Sequence, residues 1–292
     1  MEKKKKKEKY VEYDYESLYQ ENLDRLKEEE EVKALLEGRV KSIYATKEIK
    51  AGDQLEVEIY PEFNRQQAKE QNMERPKRSK EAQRNLNNKR ARKRCERLIL
   101  ENFGNGDIWA TLTYSSGQEP ETEEEAYRNM KNFIRRLNRR RKKLGLKNAR
   151  YIYVTECGAK GRWHHHMITD GDLSMDEIEQ IWQKGRRNQL RRLQKDENGL
   201  VGCARYITKD KERKSEGKKT WNSSNGLREP QEKKNHYKTK QQHVDRMVAG
   251  DLSICDHLAR WYGDQYEYAE SEIRYNKYNR RYYIYGRMRQ KR

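Results

Sequence analysis

Between Ile108 and Lys214 the spacing of apolar residues switches between two and three-to-four, and the order of those switches constrains the fold. Ile108–Tyr114 (IWATLTY) follows the turn former Gly106 and combines Thr, aromatic and branched residues, a strand pattern. From Glu121 to Lys143, Tyr127, Met130, Ile134 and Leu137 recur at helical spacing. Acids come early and bases late, as the helix dipole favours, and Gly145 is placed to cap the end. Ala149–Thr155 is a second strand, and Gly158 and Gly161 turn the chain into a third, Arg162–Thr169 (RWHHHMIT). Ser174 with Glu177 three residues on is a capping box opening a helix to Lys184. Gln189–Gln194 reads as a strand, Leu200–Lys214 as a helix carrying Tyr206, and Lys219–Ser224 as an edge strand. Strand, helix, strand, strand, helix, strand, helix is an α+β order: a central antiparallel sheet with flanking helices.

Outside that stretch charge dominates. Leu, Ile, Val and Phe total 45 of 292 residues, about 15%, below the roughly 20% at which a highly charged chain is suspected of disorder. One continuous core is therefore not expected, although 20 Tyr and 5 Trp add area for burial or for stacking on flat ligands. The reading is a basic N-terminal extension over 1–103, a central domain over 104–230 and a basic, Tyr-rich C-terminal extension over 231–292. Within the first, Leu23, Leu26, Leu35 and Leu36 allow a weak helix, Gln54–Tyr60 alternates as a strand, and Pro76–Leu100 is a basic helix.

Several functions fall away. No apolar run approaches a membrane span, and the lysines at 3–7 precede no signal-like stretch, so a cytoplasmic location without membrane contact is expected. The four cysteines form no Cys-x-x-Cys pair, which argues against a disulfide framework or a four-thiolate zinc site. No Gly-x-x-x-x-Gly-Lys-Ser/Thr loop is present, so the chain is not a self-contained ATP-driven motor. A net charge of +19 calls for a polyanionic partner.

Chemistry concentrates at His164-His165-His166. On a strand, residues i and i+2 share a face with Cα atoms roughly 6.5–7 Å apart, so His164 and His166 can converge on one ion while His165 faces away. Glu156 ends the preceding strand, and a Gly-containing turn would bring its carboxylate beside the two imidazoles. Two imidazoles and a carboxylate suit a divalent metal with positions open for substrate oxygens. A zinc site using Cys157 is a lesser variant, and a satisfied His-rich strand is the plain structural alternative.

Tyr206 and Lys209 lie three apart on a helical stretch and share a face. A phenol is a poor nucleophile at neutral pH, but a neighbouring ammonium favours the phenolate and can later supply a proton to a departing oxygen. The alternative is a helix packing its Tyr on the sheet.

Together these features resemble the HUH endonucleases, and within them the rolling-circle replication initiators (Rep proteins) of bacterial plasmids and phages. The resemblance runs from about Ile108 to Lys209: IWATLTY as the first strand motif, Glu156 with WHHHMI as the metal motif, and Tyr206-Ile207-Thr208-Lys209 as the nucleophile motif. The metal motif precedes the tyrosine, as in the Rep group, whereas relaxases usually place the tyrosine first. The family's middle motif position is usually bulky and apolar; here it is His165, whose role is left open.

The resemblance implies a ferredoxin- or RRM-like antiparallel sheet and metal-dependent, site-specific nicking and joining of single-stranded DNA. Glu156, His164 and His166 would hold Mg²⁺ or Mn²⁺, and Tyr206, assisted by Lys209, would form a 5′-phosphotyrosine. It implies partners too: a single-stranded replication origin and a bacterial host's helicase and DNA polymerase. Arg135, Arg139 and Arg140 on the first helix, their neighbours Arg136 and Arg141, and the 275–292 tail are candidate DNA contacts. The alternatives are a single-tyrosine transposase, a mobilisation relaxase, or a non-catalytic protein that binds single-stranded nucleic acid.

Overall fold

A computed structural model describes residues 10–12, 41–64, 80–158, 161–196, 198–207, 220–276 and 281–291. The helix expected around Leu23 to Leu36 and the helical continuation that carries Lys209 lie outside these residues. In chain order the elements begin with β1 (Tyr10–Glu12), β2 (Ser42–Ala51), β3 (Gln54–Asn64), α1 (Lys80–Asn102), β4 (Ile108–Thr113) and α2 (Glu123–Lys143). Next come β5 (Tyr151–Cys157), β6 (Trp163–Thr169), α3 (Met175–Trp182), β7 (Gln189–Arg192), α4 (Val201–Ile207) and β8 (Asn222–Ser223). The last are β9 (Gln231–Asn235), α5 (Gln241–Ala249), α6 (Ile254–Tyr262), β10 (Tyr266–Asn276) and β11 (Arg281–Gln290). The class is α+β. The chain divides into two compact units, Ala91–Pro230 and Met1–Arg90 with Gln231–Arg292.

In the unit Ala91–Pro230 the strands lie in the order β7-β4-β6-β5-β8, each neighbouring pair antiparallel. Alternation along β4 sends Ile108, Ala110 and Leu112 to one face, in a core with Phe133 of α2 and Trp182 of α3. Trp109 goes to the other face, clustered with Ile99 of α1 and Ala204 of α4. Burying a side chain of the Ile or Phe class contributes about 1.5–3 kcal/mol, so both faces help hold the sheet between helices.

The helices have local reasons to start and stop. Thr122 caps α2, its hydroxyl accepting from the Glu125 N–H at 3.2 Å, and three glutamates occupy the first turn. The chain leaves α2 through Gly145 at φ +72°, a left-handed conformation that glycine adopts without steric cost. Ser174 and Glu177 form the expected capping box on α3. The basic run of α2 is partly structural. Arg136 donates to the carbonyls of Ile181 and Trp182, at 3.0 and 2.9 Å, closing the end of α3. Arg141 is buried and pairs with Asp170 and, at 2.6 Å, with Asp172. These two arginines are therefore committed to the fold, contrary to their reading as DNA contacts.

In the other unit the strand order is β10-β11-β3-β2-β9, with β1 beside β3. Segments that composition describes only as basic extensions thus supply one antiparallel sheet. Val57, Ile59 and Ile284 meet Val244 and Met247 of α5 and Leu258 of α6 in its core. Gly286 permits this packing: a Cβ there would come within 2.4 Å of Leu258. Among the described residues no helix is long and apolar enough to cross a membrane.

Candidate metal centre

The site forms where β5 and β6 run side by side. Their register sets Glu156 opposite His164 and Val154 opposite His166, so the three candidate ligands share one face. Gly161, at φ +75°, makes the turn that fixes this register. Glu156 Oε2 lies 3.4 Å from His164 Nε2 and 3.5 Å from His166 Nε2, and the ligand atoms all fall within 4.8 Å of one another. Bonds of about 2.0–2.2 Å at cis angles between octahedral and tetrahedral values place neighbouring donors about 3–3.5 Å apart, so the trio fits a divalent ion. Glu156 and His166 are buried whereas the His164 side chain keeps 20% of its surface, so the site opens on the His164 side. Cys157, the next residue of β5, is exposed and stands outside this ligand group.

His165 points the other way and answers the question its sequence position raised. It is fully buried, with Nε2 2.8 Å from the Tyr114 hydroxyl, Nδ1 2.9 Å from Thr155 Oγ1 and the ring against Trp182. Burial, with His164 and His166 as cationic neighbours when protonated, pushes its pKa down to about 3. It is a neutral core histidine with both nitrogens satisfied.

Tyr206 stands on α4 beside the ligands. Ala204 and Ile207 anchor the helix in the core, while Tyr206 is 57% exposed. Its ring packs edge-on against His166 at 5.3 Å and against Trp109 at 5.6 Å. A candidate ligand and the candidate nucleophile are thus direct neighbours.

Three more residues complete this face, and none stood out in the sequence. Trp109, nearly buried, touches His166 at 5.7 Å and donates its Nε1–H to Thr111 Oγ1 at 3.3 Å. Thr111 Oγ1 lies 3.2 Å from His166 Nδ1. The exposed Arg191 of β7, register partner of Trp109, sets its guanidinium 5.7 Å from the indole centre. Only the pairing of β4 with β6 and β7 brings them here, and no local pattern encodes that register. Burial raises the nearby Cys203 thiol to about 11 despite Arg191, so no thiolate competes for the chemistry at neutral pH.

Arg135, Arg139 and Arg140 are exposed on α2, which covers the sheet face opposite Glu156, His164 and His166. Arg140 is engaged with Glu177 through two bonds of 3.0 and 2.7 Å. Arg135 lies 3.4 Å from Asn132 Oδ1. Lys209 lies outside the described residues.

Residues 107–211 match the family model of the replication-associated protein ORF2 (gene 2 protein) family. No curated protein and no solved structure matches the chain. The matched stretch holds Glu156, His164, His166 and Tyr206, covers about a third of the chain, and is consistent with a rolling-circle replication initiator.

Proposed function

We propose that the protein starts rolling-circle replication by nicking and rejoining single-stranded DNA at an origin through a 5′-phosphotyrosine. The observation that carries this reading is the packing of Tyr206 against His166 within a two-histidine, one-carboxylate cluster. Residues 104–230 hold the chemistry. A Mg²⁺ or Mn²⁺ ion held by Glu156, His164 and His166 would act as a Lewis acid on the scissile phosphate. Tyr206 attacks in line: its Oη–P bond forms, the P–O3′ bond breaks, and the departing 3′-oxygen takes a proton, which Lys209 is suited to supply. The freed 3′-hydroxyl primes a host polymerase in the bacterial cytoplasm while a helicase opens the duplex. Its later attack on the phosphotyrosine reverses the step and reseals a circle. The phosphodiester energy stays in the covalent link, which agrees with the lack of a phosphate-binding loop.

Arg191 is suited to bind a phosphate beside the cut, because it is the exposed cation on the ligand face nearest Trp109 and Tyr206. Arg135, Arg139 and Arg140 would meet only strand that runs beyond the scissile segment.

The test incubates the full chain with an origin-containing single strand and Mn²⁺, then maps any peptide–nucleotide adduct by mass. The adduct should sit on Tyr206, disappear in EDTA, and be absent from Tyr206→Phe while that variant still shifts the strand on a gel. Strand binding with no adduct in the wild-type protein would instead indicate a non-catalytic binder.

A further inference from the structure

His164 and His166 are held by partners of different kinds. A neutral imidazole carries one proton, on Nδ1 or on Nε2, and only the bare nitrogen has a lone pair for an ion. In both rings Nε2 faces Glu156, so ligation through Nε2 requires the proton on Nδ1. Behind His164, Nδ1 meets the Arg162 backbone carbonyl at 3.4 Å. A carbonyl only accepts, so this contact always favours the Nδ1–H form.

Behind His166 the partner is the Thr111 hydroxyl, which can donate or accept. Without an ion, His166 can carry its proton on Nε2, directed at Glu156, while Thr111 donates into Nδ1. With an ion on Nε2, that proton leaves, another is taken up on Nδ1, and Thr111 must accept it. No net charge changes. Trp109 Nε1–H, a donor only, occupies one lone pair of the Thr111 oxygen in both states. That leaves the second lone pair for His166 Nδ1–H and lets the hydroxyl hydrogen rotate away.

We propose that Thr111 is the positioning residue of this centre, a hydroxyl that reverses its hydrogen bond to His166 when a divalent ion binds, with the Trp109 N–H steadying its oxygen. The inference rests on reading Glu156, His164 and His166 as the metal site. His164 is preset for ligation, and His166 is switched by Thr111.

The test uses the full chain, Mn²⁺ affinity by electron paramagnetic resonance, and the His166 tautomer by long-range ¹H–¹⁵N NMR with and without Mg²⁺. Thr111→Val, close in shape, should weaken Mn²⁺ binding about 10–100-fold, and Thr111→Ser should bring it back to within about threefold of wild type. His166 should change from the Nε2–H to the Nδ1–H form as Mg²⁺ is added, a measurement on the unmodified protein that no folding defect can confuse. A wild-type protein that binds Mn²⁺ while Thr111→Val binds it equally well overturns the role of Thr111 alone. An unchanged His166 tautomer in the Mg²⁺-loaded protein does the same. Failure of the wild-type protein to bind Mn²⁺ at all overturns this inference and the metal site together.

Discussion

On one face of β6, His165 has both ring nitrogens hydrogen-bonded inside a dry core; on the other, His164 and His166 turn their Nε2 atoms toward a carboxylate at the edge of solvent. The three residues are identical in chemistry and consecutive in sequence. Their roles differ because the strand alternates and because each face supplies different neighbours: Tyr114, Thr155 and Trp182 for His165, and Glu156, Thr111 and Tyr206 for the other two. One face holds structure together and the other is built to hold an ion.

The largest effect that could break this contrast is on the ligand face. His166→Ala should slow nicking by about a thousandfold, about 4 kcal/mol of barrier, with little change in melting temperature. His165→Ala should do the reverse. It removes a buried ring and strands the Tyr114 and Thr155 hydroxyls, so stability should fall by about 2–4 kcal/mol. Below its melting temperature that variant should nick within about tenfold of wild type. Denaturant melts and single-turnover nicking of both variants decide it; if His165→Ala were the less active and His166→Ala the less stable, the assignment of the two faces would be reversed.

The parity of the three histidines was readable because it is local. Period-two alternation, a short Gly-containing turn and an acid eight residues before His164 place Glu156 beside His164. The caps at Thr122 and Ser174 are local too. What could not be read depends on partners distant in sequence. Thr111 and Trp109 reach His166 through the register of β4 against β6, and Arg191 arrives on an edge strand. The second sheet is the extreme case: Ile59 pairs with Ile284, and Gly286 is a close-packing position only because Leu258 lies against it. The arginines of α2 show another limit. Their spacing marks one basic run, yet Asp170 and Asp172 claim Arg141, the end of α3 claims Arg136, and Glu177 claims Arg140.

A core histidine in the other unit sharpens the distinction between burial and ligation. His257 is buried with Nε2 3.0 Å from Thr239 Oγ1, and no carboxylate–histidine cluster surrounds it among the described residues. Burial first, then His243 and Arg260, pull its pKa down to about 4. A lowered histidine is neutral in the fold, so its contribution is present above the unfolded value near 6.5 and is lost as pH falls toward 4. The loss should reach on the order of 1–2 kcal/mol by pH 5. His257→Gln can keep the bond to Thr239 without titrating, so its stability should fall less than that of wild type between pH 7.5 and 5. Parallel curves for the two proteins would show that His257 is not the group responsible.

The smallest expected effect concerns two exposed arginines on opposite faces, Arg191 on β7 and Arg139 on α2. Each could contribute one phosphate contact, worth about 1 kcal/mol and about 0.7 in the slope of log K against log salt for a single strand. They should separate by strand length. On an oligonucleotide short enough to cover only the scissile segment, Arg191→Gln should weaken binding about fivefold and flatten the salt slope, whereas Arg139→Gln should change neither. On a longer strand both substitutions should register, because DNA leaving the ligand face can then reach α2. Fluorescence anisotropy across a salt series with the two lengths gives the answer. Equal losses on the short strand would mean that DNA meets α2 at the cut itself, and the division of labour between the two faces would then hold for the histidines but not for the substrate.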